Sequence, residues 1–558
     1  METLRSLVDR FAQNRPQDVY LVAPEPGLQL TFAQLQADSR ALSGSLLAMG
    51  LNKGDPVAFM LDNGYQTAKI FLGALYGGFT VTPLNVQAQP PHLAYMLRQS
   101  GTRIVFFSPH YRKRLAKSLS QLPQPVSLFE VDVDSPENPL SPTHQIPELP
   151  ALEEKDDGQL IYTSGTTGLP KGVVLTHGNL VAGGGNTAGA HQLTEADRAL
   201  CVLPLYHINA QVVTLIAPLV SGGSVVLPHR FSVSRFWDLA TDYKCTWLSV
   251  VPTIVCYLLD RTDPCGEGGE WKHLRFARSA SAPLATVHHK SFEKKFKLPL
   301  IETMGLTETA APILANPMPP DRRKAGSPGL PYGNEIKIVD RGGKELPAGR
   351  IGEVLVRGAN VMKCYHQAPE ITRQSLQPDG WLHTGDLAYR DPDGFFFITG
   401  KLGELIIKGG ENIAPREVDE VLCRHPAVLE AAAVGISHQQ YGEEVAACLI
   451  LKSGACCIER GLDLYSHLSS CPMEEAERTC ALALEIHEFC EQELGQHKSP
   501  AVIRSVKGLP RGPSGKLQRL KLRSFFQEPG NLAELIRQDP ATEKNSEVEE
   551  NHDTNVTQ

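Results

Sequence analysis

The sequence predicts an α/β protein: a large N-terminal domain of layered α/β sheets with a small β-barrel-like subdomain, then a small α+β C-terminal domain. Three observations predict it. Short apolar runs alternate with helical stretches between Asp55 and Arg278. From about Gly326 to Ile398 the texture changes to short strands separated by Gly, Pro and Asp turns. Gly400-Lys-Leu-Gly403 then reads as a junction, and a smaller unit follows to about Phe526.

Taken in order, Asp55-Pro-Val-Ala-Phe-Met-Leu61 is a strand, followed by a helical stretch from Tyr65 to Tyr76. Arg103-Ile-Val-Phe-Phe-Ser108 is a second buried strand, and Ser224-Val-Val-Leu227, Thr246-Trp-Leu-Ser-Val-Val251 and Arg275-Phe-Ala-Arg278 repeat the rhythm. Apolar strands separated by helices imply a largely parallel sheet with helices on its faces. The prolines between Ser135 and Pro150 mark a surface connection. Glu335-Ile-Lys-Ile-Val-Asp340, Gly352-Glu-Val-Leu-Val-Arg357 and Gly394-Phe-Phe-Phe-Ile-Thr399 form the antiparallel layer.

Composition sets the outer limits. A 558-residue chain with 42% apolar residues buries large cores, which excludes wholesale disorder. Lys and Arg number 54 against 62 Asp and Glu, a net charge of −8, which argues against a nucleic-acid partner. The segment Gln538 to Gln558 holds six acids and one base, a composition that reads as a disordered tail. Met1-Glu-Thr-Leu-Arg-Ser-Leu-Val8 lacks the apolar core of a secretory leader, and no apolar run approaches the roughly 18–20 residues of a membrane span. The 12 cysteines are therefore expected to be reduced thiols in a cytoplasmic protein.

One loop carries legible chemistry. Leu160-Ile-Tyr162 runs as a strand into Thr163-Ser-Gly-Thr-Thr-Gly-Leu-Pro-Lys-Gly172, and a helix-like segment follows His177. Gly165, Gly168 and Gly172 let consecutive N–H groups turn toward one anion. Thr163, Ser164, Thr166 and Thr167 add hydroxyls, and Lys171 adds a cation, a set suited to polyphosphate. It is not a Walker A loop, and the bland alternative is a solvated Gly/Ser/Thr turn.

This loop resembles the signature of the adenylate-forming superfamily of acyl-CoA synthetases, peptide-synthetase adenylation domains and luciferases. Further motifs follow in that family's order over about residues 5 to 525. Met304-Gly-Leu-Thr-Glu-Thr309 resembles the metal-binding motif, and Gly380-Trp-Leu-His-Thr-Gly-Asp-Leu387 the ribose-binding one. Gly409-Gly-Glu-Asn-Ile-Ala-Pro-Arg-Glu417 resembles the segment that meets CoA, and Pro510-Arg-Gly-Pro-Ser-Gly-Lys-Leu-Gln-Arg519 the loop of the catalytic Lys.

The resemblance implies residues 1–399 as the large domain, 400–403 as a hinge, 404–526 as a small mobile domain and 527–558 as the tail. It implies ATP, Mg²⁺ and coenzyme A, and an acyl-AMP intermediate. Lys516 would bridge the attacking carboxylate and the α-phosphate, Thr307 and Glu308 would act there, and Glu308 would hold the metal. Asp386 would accept from both ribose hydroxyls, and Gly305, Ala282 and Pro283 would line the adenine and acyl sites. Gly409, Gly410 and Glu411 would meet CoA. His207, in Pro204-Leu-Tyr-His-Ile-Asn-Ala210, would lie beside the acid, although a core histidine fits the same pattern.

Three positions depart from the family pattern. Met304 stands where an adenine-stacking aromatic is common, Lys401 where an Arg reaches the ribose, and Gly403 at the pivot. The Cys-rich insertion from about Cys456 to Cys480 lacks zinc-ligand spacing.

The expected activity is an ATP-dependent acid:CoA ligase. Loading of a separate carrier protein and nucleotide binding without turnover are the alternatives. Small and apolar residues at 207–220 and 279–284 suggest a fatty, aromatic or alicyclic acid. Asn-Pro-Met-Pro-Pro-Asp-Arg-Arg-Lys at 316–324 also resembles a loop of dicarboxylate-activating relatives, which keeps a small diacid open. A homodimer stays open, and no integral membrane segment is expected.

Overall fold

Strands buried on both faces set the architecture, because their apolar side chains need helices on either side to leave water. The computed structural model describes residues 2–140, 147–163, 170–261, 272–452, 473–511 and 517–526. Packing divides the chain between Leu402 and Gly403 into a large and a small unit.

In the large unit, Pro56–Met60, Thr80–Pro83, Ile104–Phe107, Ser127–Glu130 and Asp157–Thr163 pair in parallel. Lys171–Thr176 and Cys364–Tyr365 extend that sheet antiparallel. The helix Tyr65–Gly77 is buried along its whole length, mostly by apolar and small residues, with Gln66 donating to the Ser135 carbonyl and Lys69 paired with Asp38.

A second sheet runs parallel through Val19–Ala23, Ser224–Val226, Arg198–Cys201, Trp247–Val250, Phe276–Ser279 and Leu300–Leu306. Antiparallel strands Leu28–Thr31, Ala311–Ala315 and Leu330–Pro331 complete its edges.

The expected antiparallel layer is Glu335–Val339, Gly352–Arg357, Leu382–Arg390 and Phe396–Lys401, paired in that order. Its outer strands carry no ladder to each other among the described residues, so the barrel-like layer takes the form of a four-stranded sheet.

The small unit pairs Val428–His438 with Gly442–Leu451 antiparallel and Gly442–Leu451 with Val502–Ser505 in parallel. The helix Pro415–Arg424 packs on it through Val418, Val421 and Leu422. Ile406–Lys408 and Glu411–Ile413 form a two-residue hairpin. No helix among the described residues is long and apolar enough to cross a membrane.

Candidate active site

Segments that follow the carboxyl ends of parallel strands are the usual place for ligands in such sheets. Here Arg198–Cys201 leads to the His207 segment, Phe276–Ser279 to Ala282 and Pro283, and Leu300–Leu306 to Thr307 and Glu308. One geometric rule thus gathers three motifs that are separate in sequence.

The predicted phosphate loop connects an antiparallel pair: Thr163 lies opposite Lys171 and Tyr162 opposite Gly172. Ser164, Gly165, Thr166, Thr167 and Gly168 lie outside the described residues, as does Lys516. The helix His177–Ala190 starts directly after the hairpin, where Thr176 and Asn179 cap each other reciprocally. A methyl on Gly183 would lie 2.0 Å from the Ala310 carbonyl, so only glycine lets this helix approach the turn that carries Glu308.

Tyr365 ties the loop to that turn. Its hydroxyl donates to Glu308 Oε1 at 2.9 Å, and Lys171 Nζ stands 5.5 Å from its ring centroid. Burial, then the Glu308 charge, pushes the phenol well above its ordinary range, so it remains a donor. Nothing in the sequence signalled Tyr365, since it belongs to none of the motifs.

Thr307 and Glu308 occupy a short 3₁₀ turn, Thr307–Thr309, anchored where Met362 N donates to the Glu308 carbonyl at 2.8 Å. Met304 is half-buried against the core, and a methyl on Gly305 would lie 2.1 Å from the Ala311 carbonyl.

Asp386 is 6% exposed and lies directly opposite Lys401 across two strands. Lys401 Nζ is 2.9 Å from Asp386 Oδ1, while the buried Oδ2 has no partner. An unpartnered buried carboxylate oxygen fits an arriving hydroxyl donor such as a ribose. Lys401, read as a weakened ribose ligand, is therefore the counter-ion of the predicted ribose acceptor.

His207 is half-buried with its ring 4.5 Å from that of Tyr206, and the π-helical stretch Asn209–Ile216 follows it. Asn209 joins two predicted segments: its Nδ2 donates to Ser281 Oγ at 3.1 Å, and its Oδ1 accepts from Arg278 Nη1 at 2.9 Å. Ser281 holds a left-handed φ of 74°, next to the half-buried Ala282 and the exposed Pro283. Arg278 and Asn209 escaped the sequence reading because a strand Arg looks like any other until its burial is known. The basic residues of 316–324 are already neutralised: Arg322 pairs with Asp393, Arg323 with Glu293, and Lys324 with Asp391 and Asp393.

In the small unit, Gly409 and Gly410 form the Ile406–Ile413 hairpin turn with φ of 58° and 86°, the left-handed pair a two-residue turn demands. Glu411 opens the second strand, 3.4 Å from His497 Nε2. Gly403 begins the unit with φ of 88°. On either side of the segment predicted to carry the catalytic lysine, Arg511 and Leu517 pair in an isolated bridge, and Arg519 forks onto Asp419, with Nη2 to Oδ2 at 2.5 Å. The Cys-rich insertion lies largely outside the described residues, and no group of His, Cys, Asp and Glu among those described could hold a metal. A cavity of about 550 Å³ beside Leu97, Arg98 and Val126 contains none of the predicted residues.

Fold and motifs define a class, and comparison with known proteins agrees. The profile of the AMP-binding enzyme family matches residues 8–366, and that of the AMP-binding enzyme C-terminal domain matches 417–516. The chain belongs to this family. It is 46% identical over 523 residues to the sulfoacetate–CoA ligase of Cupriavidus necator, covering 93% of this chain and 97% of the relative. The oxalate–CoA ligase of Arabidopsis thaliana is 33% identical, covering 94% and 99%. Among solved structures, the anthranilate CoA ligase AuaEII in complex with anthranoyl-AMP superposes with a TM-score of 0.81 at 26% identity, covering 94% of this chain and 97% of that one. The protein is an AMP-forming acid:CoA ligase, with a small-molecule acid, ATP and CoA as its substrates.

Proposed function

We propose that the protein activates a small carboxylic acid in two steps with the residues placed above. The acid's carboxylate attacks the α-phosphorus of ATP, forming acyl-AMP and expelling pyrophosphate. The thiol of CoA then attacks the acyl carbon, AMP leaves, and the thiol proton passes to solvent. Charge grows on the α-phosphate in the first step, so fixed cations and N–H groups supply most of the acceleration.

Lys171 and the loop at 163–168 hold the β- and γ-phosphates in this reading, and Asp386 accepts from the ribose. Glu308, oriented by Tyr365, would hold Mg²⁺, a hard cation that needs few protein ligands and would supply positive charge to the phosphates. Met304, Gly305, Ala282 and Pro283 line the adenine and acyl sites, and His207 flanks the acid. Lys516 acts in adenylation, whereas Gly409, Gly410 and Glu411 meet CoA after rotation at Gly403. The observation that carries the reading is the Lys171–Tyr365–Glu308 array, which joins the phosphate loop to the metal-binding turn. A cytoplasmic location belongs to the same reading.

Acid-dependent exchange of pyrophosphate into ATP without CoA, and thioester formation only when CoA is added, are the expected results. Exchange that proceeds while CoA yields no thioester would instead favour the carrier-loading alternative.

A further inference from the structure

The buried guanidinium of Arg278 is at odds with a site for a wholly uncharged acid. Arg278 is 2% exposed, near the carboxyl end of the parallel strand Phe276–Ser279. Strand alternation places it on the face of Phe276, whose ring stacks on His191 and Trp247. Its Nη1 reaches two neutral acceptors, Asn209 Oδ1 at 2.9 Å and Ser249 Oγ at 3.4 Å, and its Nε has none.

A buried charge is costly, and proteins usually meet that cost with an opposite one. No carboxylate pairs with Arg278 among the described residues. Burial alone lowers its pKa to about 9, so it stays charged at neutral pH. Glu302, on the adjoining strand, is already committed to His289 Nδ1 at 2.7 Å and to Gly326 N at 2.9 Å. Two further hydroxyls near this strand end, Ser279 Oγ and Thr303 Oγ1, are buried without partners. Ser281, held by Asn209, adopts a backbone region that persists where surroundings over-determine it, as at ligand clamps.

We propose that Arg278, oriented by Asn209, receives the second anionic group of a small acid, a carboxylate or a sulfonate, while the acid's other carboxylate is adenylated. This rests on the acyl-adenylate reading and adds a substrate class to it. The guanidinium fork matches either oxyanion. Specificity follows from the same energetics: a neutral-ended acid leaves the buried cation uncompensated.

The test is pyrophosphate exchange by the full chain with oxalate, sulfoacetate, and the neutral-ended glyoxylate and propionate. The wild type should favour one dianion over its neutral-ended counterpart by about 100-fold or more in kcat/KM. The better dianion then tells carboxylate from sulfonate. Arg278→Met should cut the dianion value by about 30-fold while moving the neutral-ended acids by less than about 3-fold, and Arg278→Lys should recover part of the loss. Equal loss on every acid in Arg278→Met would overturn the proposal, because a merely structural role predicts that result. Should Arg278→Met fail to fold, Asn209→Leu and the wild-type preference decide, and a wild type that favours neutral-ended acids overturns it. That last outcome leaves acyl-adenylate chemistry intact, whereas exchange with no acid of either kind defeats both.

Discussion

Replacing Asp386 by Asn tests the nucleotide site with little disturbance of the fold. The side chain keeps its shape, and its partner Lys401 is 43% exposed, so losing the pair costs only about 0–1 kcal/mol. The effect on ATP is larger. Oδ2 is buried and unpartnered, so a ribose hydroxyl that donates to it forms a charge-assisted bond of about 1.5–3 kcal/mol. An amide there removes the charge, which corresponds to a rise of about 10- to 100-fold in KM for ATP. The assay is pyrophosphate exchange titrated with ATP and with 2′-deoxy-ATP, alongside a thermal melt. The wild type should discriminate against the deoxy nucleotide, and Asp386→Asn should discriminate much less. An unchanged KM for ATP in a variant that melts like the wild type would refute the ribose assignment.

The remaining predictions follow from the proposed roles and from the packing. Lys516→Ala should abolish acyl-AMP formation yet leave thioester synthesis from supplied acyl-AMP largely intact, and equal loss of both half-reactions would remove Lys516 from the first step. Gly305→Ala forces a methyl to within 2.1 Å of the Ala311 carbonyl, so it should destabilise by about 1–3 kcal/mol and suppress exchange; a wild-type melt would contradict the packing. Burial disfavours the His289 imidazolium, but Glu293 and Glu302 outweigh it and raise its pKa to about 9. Its stabilisation is thus complete below about pH 6.5 and fades as pH rises through 9. Melts at pH 6.5 and 9.5 should show that loss, and His289→Gln should flatten it.

Much of this protein was legible along the chain. Strands such as Ile104–Phe107 and Phe276–Ser279, and the helix after His177, depend on local periodicity and capping, which neighbouring residues dictate. The glycines, hydroxyls and cation of 163–172 pointed to an anion at short spacing, and the motifs at 304–309, 380–387 and 510–519 pointed by resemblance to the family to which the chain belongs.

Electrostatic partnership was not legible, since it depends on burial and on residues far apart in sequence. Lys401 resembled a weakened ligand until strand register set it against Asp386. The segment 316–324 resembled a loop of dicarboxylate-activating relatives, yet its basic residues Arg322, Arg323 and Lys324 are paired with Glu293, Asp391 and Asp393. Arg278 attracted no notice, yet it is a buried cation that no acid pairs with among the described residues. A charged letter reads the same whether water, a carboxylate or a ligand will neutralise it, and only the folded neighbourhood decides which.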